Sequence, residues 1–279
     1  LGPWAQCYFL EKIPNRRIYF MKRSAKKTSS GGKMFGILFA LLAVIVIVVG
    51  FLFFNPFGGK ASNTAKKTNG SSTSASSQTI KYEPSQEEKD YLKNRFDQLI
   101  AVNPEAIAYV YAPGTELDEP VVQTTDNETY LNKTFDGGNV PYLGTVFMDM
   151  DNKKDFSDRL TWLFGHARGS KVGDHRMFND VNFYDKQDYF DQHPYVVIET
   201  PERKYYYEAM CLVIVPETTA FYRTSFKDDK DFTTQLKKVY EDGQTKNPNI
   251  KIKASDKYLV LSTCREEDET IRSNLYLRQ

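Results

Sequence analysis

Cys264 ends an apolar run, YLVLSTC, and is followed at once by the charged segment REEDE. A thiol at the mouth of a strand, with a solvated loop beyond it, is placed to meet a substrate. Its reactive form is the thiolate, so a base or a cation must lower a pKa that is ordinarily about 8.5. His166 is the natural partner, because it also ends an apolar run, LTWLFGH, with Gly165 and Gly169 allowing tight turns around it. His175, in the polar GDHRMF, and His193, ahead of Pro194, read as surface or capping residues. Cys211 lies inside a long apolar run and reads as a small buried hydrophobe. Cys7 sits in the basic N-terminal segment, away from the chemistry. Acyl transfer also needs donors for a developing oxyanion, and Arg265, Arg272 and Arg278 are the nearby candidates. Arg272 opens the next run eight residues after Cys264, so a hairpin returns it beside the thiol. Arg265 reads as a solvated loop charge and Arg278 as a surface residue.

The census of other chemistry is short. There is no HExxH, no CxxC pair and no EF-hand loop, and MDMDNKKDFSD (148–158) lacks the required glycine and terminal glutamate. No Gly-rich phosphate loop follows a strand. No metal and no cofactor is expected.

The elements that must position these residues are legible in the composition. The chain has 279 residues, of which 41% are apolar, too many for a disordered polypeptide. Three cysteines are too few for a disulfide-stapled mini-protein. The 37 Lys and Arg nearly balance 36 Asp and Glu, which argues against a generic nucleic-acid binder. The balance hides a polarised chain: residues 1–67 carry a net +10 and residues 68–279 a net −9. Between them, residues 34–54 run MFGILFALLAVIVIVVGFLFF without a charge. At about 1.5 Å per residue that run spans a hydrocarbon core of roughly 30 Å. It is longer than the apolar region of a signal peptide and lacks a small-x-small site, so an uncleaved anchor is expected. Seven Lys and Arg between Arg16 and Lys33 precede it, against Lys60, Lys66 and Lys67 after it. The bias places residues 1–33 in the cytoplasm and the rest outside a cell membrane. Residues 1–20 precede Met21, which with KRSAKK makes an ordinary start, and are assigned no fold. Residues 55–81, rich in Ser, Thr, Gly and Asn, read as a flexible tether. Residues 82–279 suit one compact outer domain.

That domain opens with a helix: Ser85 and Glu88 suggest a capping box, and Tyr91, Leu92, Phe96, Leu99 and Ile100 share a stripe. Asn103-Pro104 ends it and starts a short second turn. Eight short β-rich runs follow, at 106–111, 120–124, 144–148, 160–165, 195–199, 204–215, 258–263 and 271–277. Such a series suggests a closed barrel or a sandwich. One helical pattern, 228–242, interrupts it between the sixth and seventh runs.

LSTC (261–264) resembles the TLxTC motif of the sortases, the transpeptidases of Gram-positive cell walls, and FGHARG (164–169) resembles their histidine segment. Arg272 stands where the family's arginine stands. The blocks at 104–132 and 177–200 resemble class B in particular. Val260 replaces the usual Thr before Leu261, and Ala167 follows His166 where Asn is commoner; neither change removes a reacting atom. The DP-aromatic lid of typical class C members is not apparent upstream. The resemblance implies a mainly β, closed eight-stranded sortase-type barrel with N-terminal helices and one helix between the sixth and seventh strands. It implies Cys264 as nucleophile, His166 as proton donor and Arg272 as oxyanion holder. Thr218, Phe221 and Tyr222, in ETTAFYRTSF (217–226), resemble the wall of a sorting-signal groove, with Ser262 beside the nucleophile. The implied partners are a sorting-signal-bearing surface protein or pilin and an amine of peptidoglycan or of a pilin. Two other readings stay open: a non-catalytic membrane-tethered surface or adhesion domain, and an L,D-transpeptidase-like wall enzyme. The latter also places Arg after Cys, but expects His and Gly where Leu-Ser-Thr stands here. Papain-like hydrolases place Cys before His in the chain, the reverse of this order.

Overall fold

Ser85 begins the first element of the computed structural model, which describes residues 82–167, 176–265 and 267–279. The expected cytoplasmic segment, membrane anchor and tether lie outside the described residues, as does His175. Among the described residues no helix is long and apolar enough to cross a membrane.

Helix α1 spans Gln86–Val102, and Ser85 Oγ accepts from Glu88 N at 3.1 Å as its N-cap. Only that half of the expected capping box forms. The Glu88 carboxylate turns away, taking Tyr82 Oη and, at 3.2 Å, Lys204 N. The buried stripe is also narrower than expected: Leu92 and Phe96 are covered, while Tyr91 and Ile100 are exposed. Ion pairs supply the rest of the attachment. Glu199, 1% exposed, meets Arg95 at 3.1 Å and Lys204 at 2.8 Å. After Asn103 the expected short turn, residues 104–105, leads directly into the first strand, so among the described residues one helix rather than several precedes the barrel.

The strands are β1 (Ala106–Tyr111), β2 (Asp118–Val122), β3 (Val146–Met148), β4 (Leu160–Phe164), β5 (Tyr195–Glu199), β6 (Lys204–Pro216), β7 (Thr245–Lys246), β8 (Tyr258–Cys264) and β9 (Ile271–Arg278). Their order is β5-β1-β2-β3-β4-β8-β9-β6, and β6 pairs back onto β5, closing eight strands into a barrel. The 13 residues of β6 make closure possible: its first half pairs with β5 and its second half with β9. The two-residue β7, too short for a hydrophobic pattern, pairs with β6 as a ninth strand outside the ring. Helix α2 (Gln187–Gln192), also too short for periodicity, precedes β5, and α3 (Asp229–Glu241) follows β6 as expected.

Strand alternation sorts the apolar residues into two layers. Val110, Val121, Val146, Leu163, Ile198, Leu212, Leu261 and Leu275 fill the barrel, drawing on all eight strands of the ring. Met177, Phe178, Val181 and Tyr184 join the same interior cluster. Trp162, Phe164, Tyr258, Val260 and Tyr276 face outward instead, beneath Phe232, Leu236 and Val239 of α3. The loop between β6 and α3 is strapped over this outer layer. Gln235 Nε2 donates to Phe221 O at 2.7 Å, Trp162 Nε1 to Arg223 O at 3.0 Å, and Arg223 is paired with Asp231.

One glycine is sterically required. Gly144 has φ +55°, and a Cβ there would lie 2.2 Å from Tyr130 O and 2.7 Å from Leu131 O. Gly144→Ala combines left-handed strain with a backbone clash, so it should destabilise the protein by about 2 kcal/mol or more. A urea midpoint equal to that of the parent contradicts this. The Arg223 guanidinium, followed by Lys227 N–H, holds the Asp231 carboxyl down to about 2 from an ordinary 3.8. A depressed carboxylate stabilises fully above its unfolded value and loses that contribution as pH falls through its folded one. The Arg223–Asp231 pair is therefore predicted to persist until the pH approaches about 2. An NMR titration of Asp231 should show this midpoint, and Arg223→Leu should return it toward 3.8.

Candidate active site

Strand register brings the three predicted residues to one level. β4 and β8 run parallel, Leu160 opposite Tyr258 through Phe164 opposite Ser262, a constant offset of 98 residues. Gly165 N continues the ladder to Ser262 O at 3.2 Å. The same offset carries His166 to the level of Cys264. On the other side β9 is antiparallel to β8, with Cys264 opposite Arg272. Histidine, cysteine and arginine thus end or begin three neighbouring strands in one row. Alternation from Val260 and Tyr276 puts Cys264 and Arg272 on the outer face of the barrel, and Cys264 belongs to the outer apolar cluster.

Each side chain is held from a different direction. Cys264 is 7% exposed, and its carbonyl oxygen accepts from Asn182 Nδ2 at 3.0 Å. His166 is half-buried, with Nε2 2.7 Å from Leu131 O. A carbonyl oxygen only accepts, so Nε2 carries the hydrogen in this contact and Nδ1 is the acceptor of the neutral ring. Leu131 ends a 3-10 turn, Thr129–Leu131, that Asp126 organises by accepting from Glu128 N, Thr129 N and Thr129 Oγ1 at 2.7–2.9 Å. Those bonds, the Thr129 N–H foremost, hold the Asp126 carboxyl below its ordinary range. Tyr130 Oη completes the wall, accepting from Asn103 Nδ2 at 2.7 Å and donating to Glu105 Oε2 at 2.6 Å.

Arg272 is 2% exposed, and its Nη2 meets Glu217 Oε2 at 2.7 Å. Its Nη1 donates to the main-chain oxygens of Glu269 and Ile271. A guanidinium this deeply covered needs such a partner, since removing one member of a buried pair strands the other charge.

The residues expected to line a groove lie on the same side. Ser262, 2% exposed, precedes Cys264 by two residues on β8. Tyr222 packs edge-on against Trp162 at 5.2 Å and Phe164 at 6.0 Å, and its hydroxyl donates to Asp149. Burial and that carboxylate push the Tyr222 phenol up, and burial raises the Asp149 carboxyl as well. Phe221 packs partly buried against the same outer cluster, whereas Thr218 is exposed on the turn after Glu217.

The remaining candidates sort clearly. Cys211 is fully buried and its thiol is pushed up by burial. His193 caps α2, Nδ1 to Tyr189 O at 2.9 Å, with its ring 4.1 Å from that of Tyr189. Arg278 pairs with Asp256 at 2.7 Å. Arg265 differs from expectation: it is not a solvated charge but 17% exposed, paired with Asp185 at 3.1 Å. Reading the residues missed Leu131, Glu217 and Asn182. Leu131 acts through its main chain, which leaves no residue-type signal, and the other two are joined to the site only by the fold.

A thiol, an imidazole and a guanidinium on one walled surface form a constellation suited to acyl transfer. No family model matches the chain. It is 26% identical over 178 residues to sortase B of Staphylococcus aureus, covering 64% of this chain and 70% of that protein. It is 26% identical over 189 residues to sortase B of Listeria monocytogenes, covering 67% and 74%. A solved Staphylococcus aureus sortase B–substrate complex superposes with a TM-score of 0.61 at 25% identity, covering 69% of this chain and 91% of that one. The shared sequence and the shared eight-stranded barrel make this chain sortase B-like, and the similarity indicates a cysteine transpeptidase of the sortase type.

Proposed function

We propose that the chain is a membrane-anchored transpeptidase that cleaves a C-terminal sorting signal after Thr and transfers the protein to an amine of peptidoglycan or of a pilin. The observation carrying this reading is the row formed by His166, Cys264 and Arg272 through the β4–β8–β9 register. The Cys264 thiolate adds to the Thr carbonyl carbon, and the negative charge on the oxygen is met by the Arg272 guanidinium. As the C–N bond breaks, the imidazolium of His166 gives its Nδ1 proton to the departing amine, leaving a thioester. The acceptor amine then attacks that thioester, His166 takes the amine's proton, and the thiolate departs to restore the starting pair. Nε2, donating to Leu131 O, keeps the ring oriented through both halves.

The loop at 217–226 forms one wall for the peptide in this reading, with Phe221, Tyr222 and Thr218 along it and Ser262 at its floor. Tyr222 and Phe221 serve as apolar packing for the signal, and exposed Thr218 offers a hydroxyl at the mouth. The uncharged run at 34–54 and its basic N-terminal flank support a single anchor with the barrel outside the cell. The tether at 55–81 would let one site reach both a membrane-held substrate and the wall.

Two experiments test the assignment. Cys264→Ala should abolish cleavage of every member of a fluorescence-quenched sorting-peptide library while moving the thermal midpoint by no more than about 3 °C. Retained cleavage would end the reading, as would a Cys264 thiol that alkylates no faster than a model thiol across the pH range. Arg272→Lys keeps the charge but loses the planar fork that meets both Glu217 and an oxyanion. It should lower kcat by about 10²–10³, and a kcat within threefold of the parent contradicts the role given to Arg272.

A further inference from the structure

We infer that residues 177–185 form a brace that fixes the backbones of His166 and Cys264 relative to each other, with Asn182 as the positioning residue on the cysteine side. The inference rests on the acyl-transfer reading of that pair. On the histidine side, Phe178 N donates to His166 O at 3.0 Å, and Ala167 bridges Met177. The Phe178 ring lies so close to Gly165 that a Cβ there would be 2.9 Å from it. On the cysteine side, Asn182 Nδ2 donates to Cys264 O at 3.0 Å. Three residues later Asp185 pairs with Arg265, the residue after Cys264, at 3.1 Å. Nine consecutive residues therefore grip both members of a pair that lies 98 residues apart in the chain.

The brace is itself anchored. Met177, Phe178, Val181 and Tyr184, none more than 1% exposed, are set into the interior core of the barrel. Glu119 Oε1 accepts from Met177 N at 2.9 Å, and Asp180 Oδ2 accepts from Glu116 N at 2.8 Å, fastening the segment to β2 and the turn before it. Two features oppose stability. Met177 has φ +62°, a left-handed backbone for a residue with a side chain. Asn182 Oδ1 is buried with no hydrogen-bond partner, a desolvated oxygen that an apolar residue would not strand. Strain and orphaned polarity kept together at a functional site point to a positional requirement. Reactions of this kind are sensitive to displacements near 1 Å, which cost on the order of 10²-fold in rate.

The test uses the full chain and the library peptide that the parent cleaves fastest. Asn182→Asp keeps the shape but turns an acceptor toward the Cys264 carbonyl, and Asn182→Ala removes donor and orphaned oxygen together. Both should lower kcat by about 10- to 100-fold, hold KM within about twofold and leave the thermal midpoint nearly unchanged. Parental kcat in both variants overturns the brace, and so does a loss of activity that only follows a fallen midpoint. Cys264→Ala run in parallel separates the two ideas. Activity surviving there removes the acyl-transfer reading itself, whereas activity lost there and kept in both Asn182 variants removes the brace alone.

Discussion

The strand β8 is the constraint on which the site depends. It is hydrogen-bonded on both sides, parallel to β4 and antiparallel to β9, and every residue from Tyr258 to Cys264 is buried. Its even-numbered residues face the outer layer, and Leu259 and Leu261 face the barrel core. A one-residue slip would exchange the two sets, turn Cys264 into the barrel and expel leucines from it. The apolar burial that fixes β8 therefore also fixes the level and the face of the thiol. Packing and chemistry are set by one register.

Around that strand the site is walled by polar contacts rather than by more hydrophobic core. Leu131 O holds His166, Glu217 holds Arg272, and Asn182 holds the Cys264 carbonyl. The Arg223–Asp231 pair and the Tyr222–Asp149 bond keep the 217–226 loop over the outer face. Buried polar groups stabilise only when their partners are in place, and they fix orientation more sharply than apolar contacts do. The barrel interior supplies stability, and the outer polar frame supplies aim.

Most of the barrel was legible because its strands are short, β-branched and separated by turn residues, as in AIAYVY and YLVLST. The convergence of Cys264, His166 and Arg272 at one level was legible from their places at the ends of such runs. Less was legible where side chains of distant segments compete. Glu88 forgoes its capping bond for Tyr82 and Lys204, more than a hundred residues apart, and Arg265 finds Asp185 rather than water. Strand β7, with two residues, and helix α2, with six, are too short for an apolar pattern to repeat convincingly. That the cysteine and arginine face outward followed only from which apolar partners each strand face acquired.

The central claim is that the sulfur of Cys264 takes up the acyl group of a peptide. Acid-quenched protein, mixed for seconds with a cleavable sorting peptide and no amine acceptor, can be digested and read by tandem mass spectrometry. The account predicts a hydroxylamine-sensitive thioester of the peptide's N-terminal portion on Cys264. Turnover of the peptide with no adduct on that residue, or with the acyl group on another side chain, would contradict it.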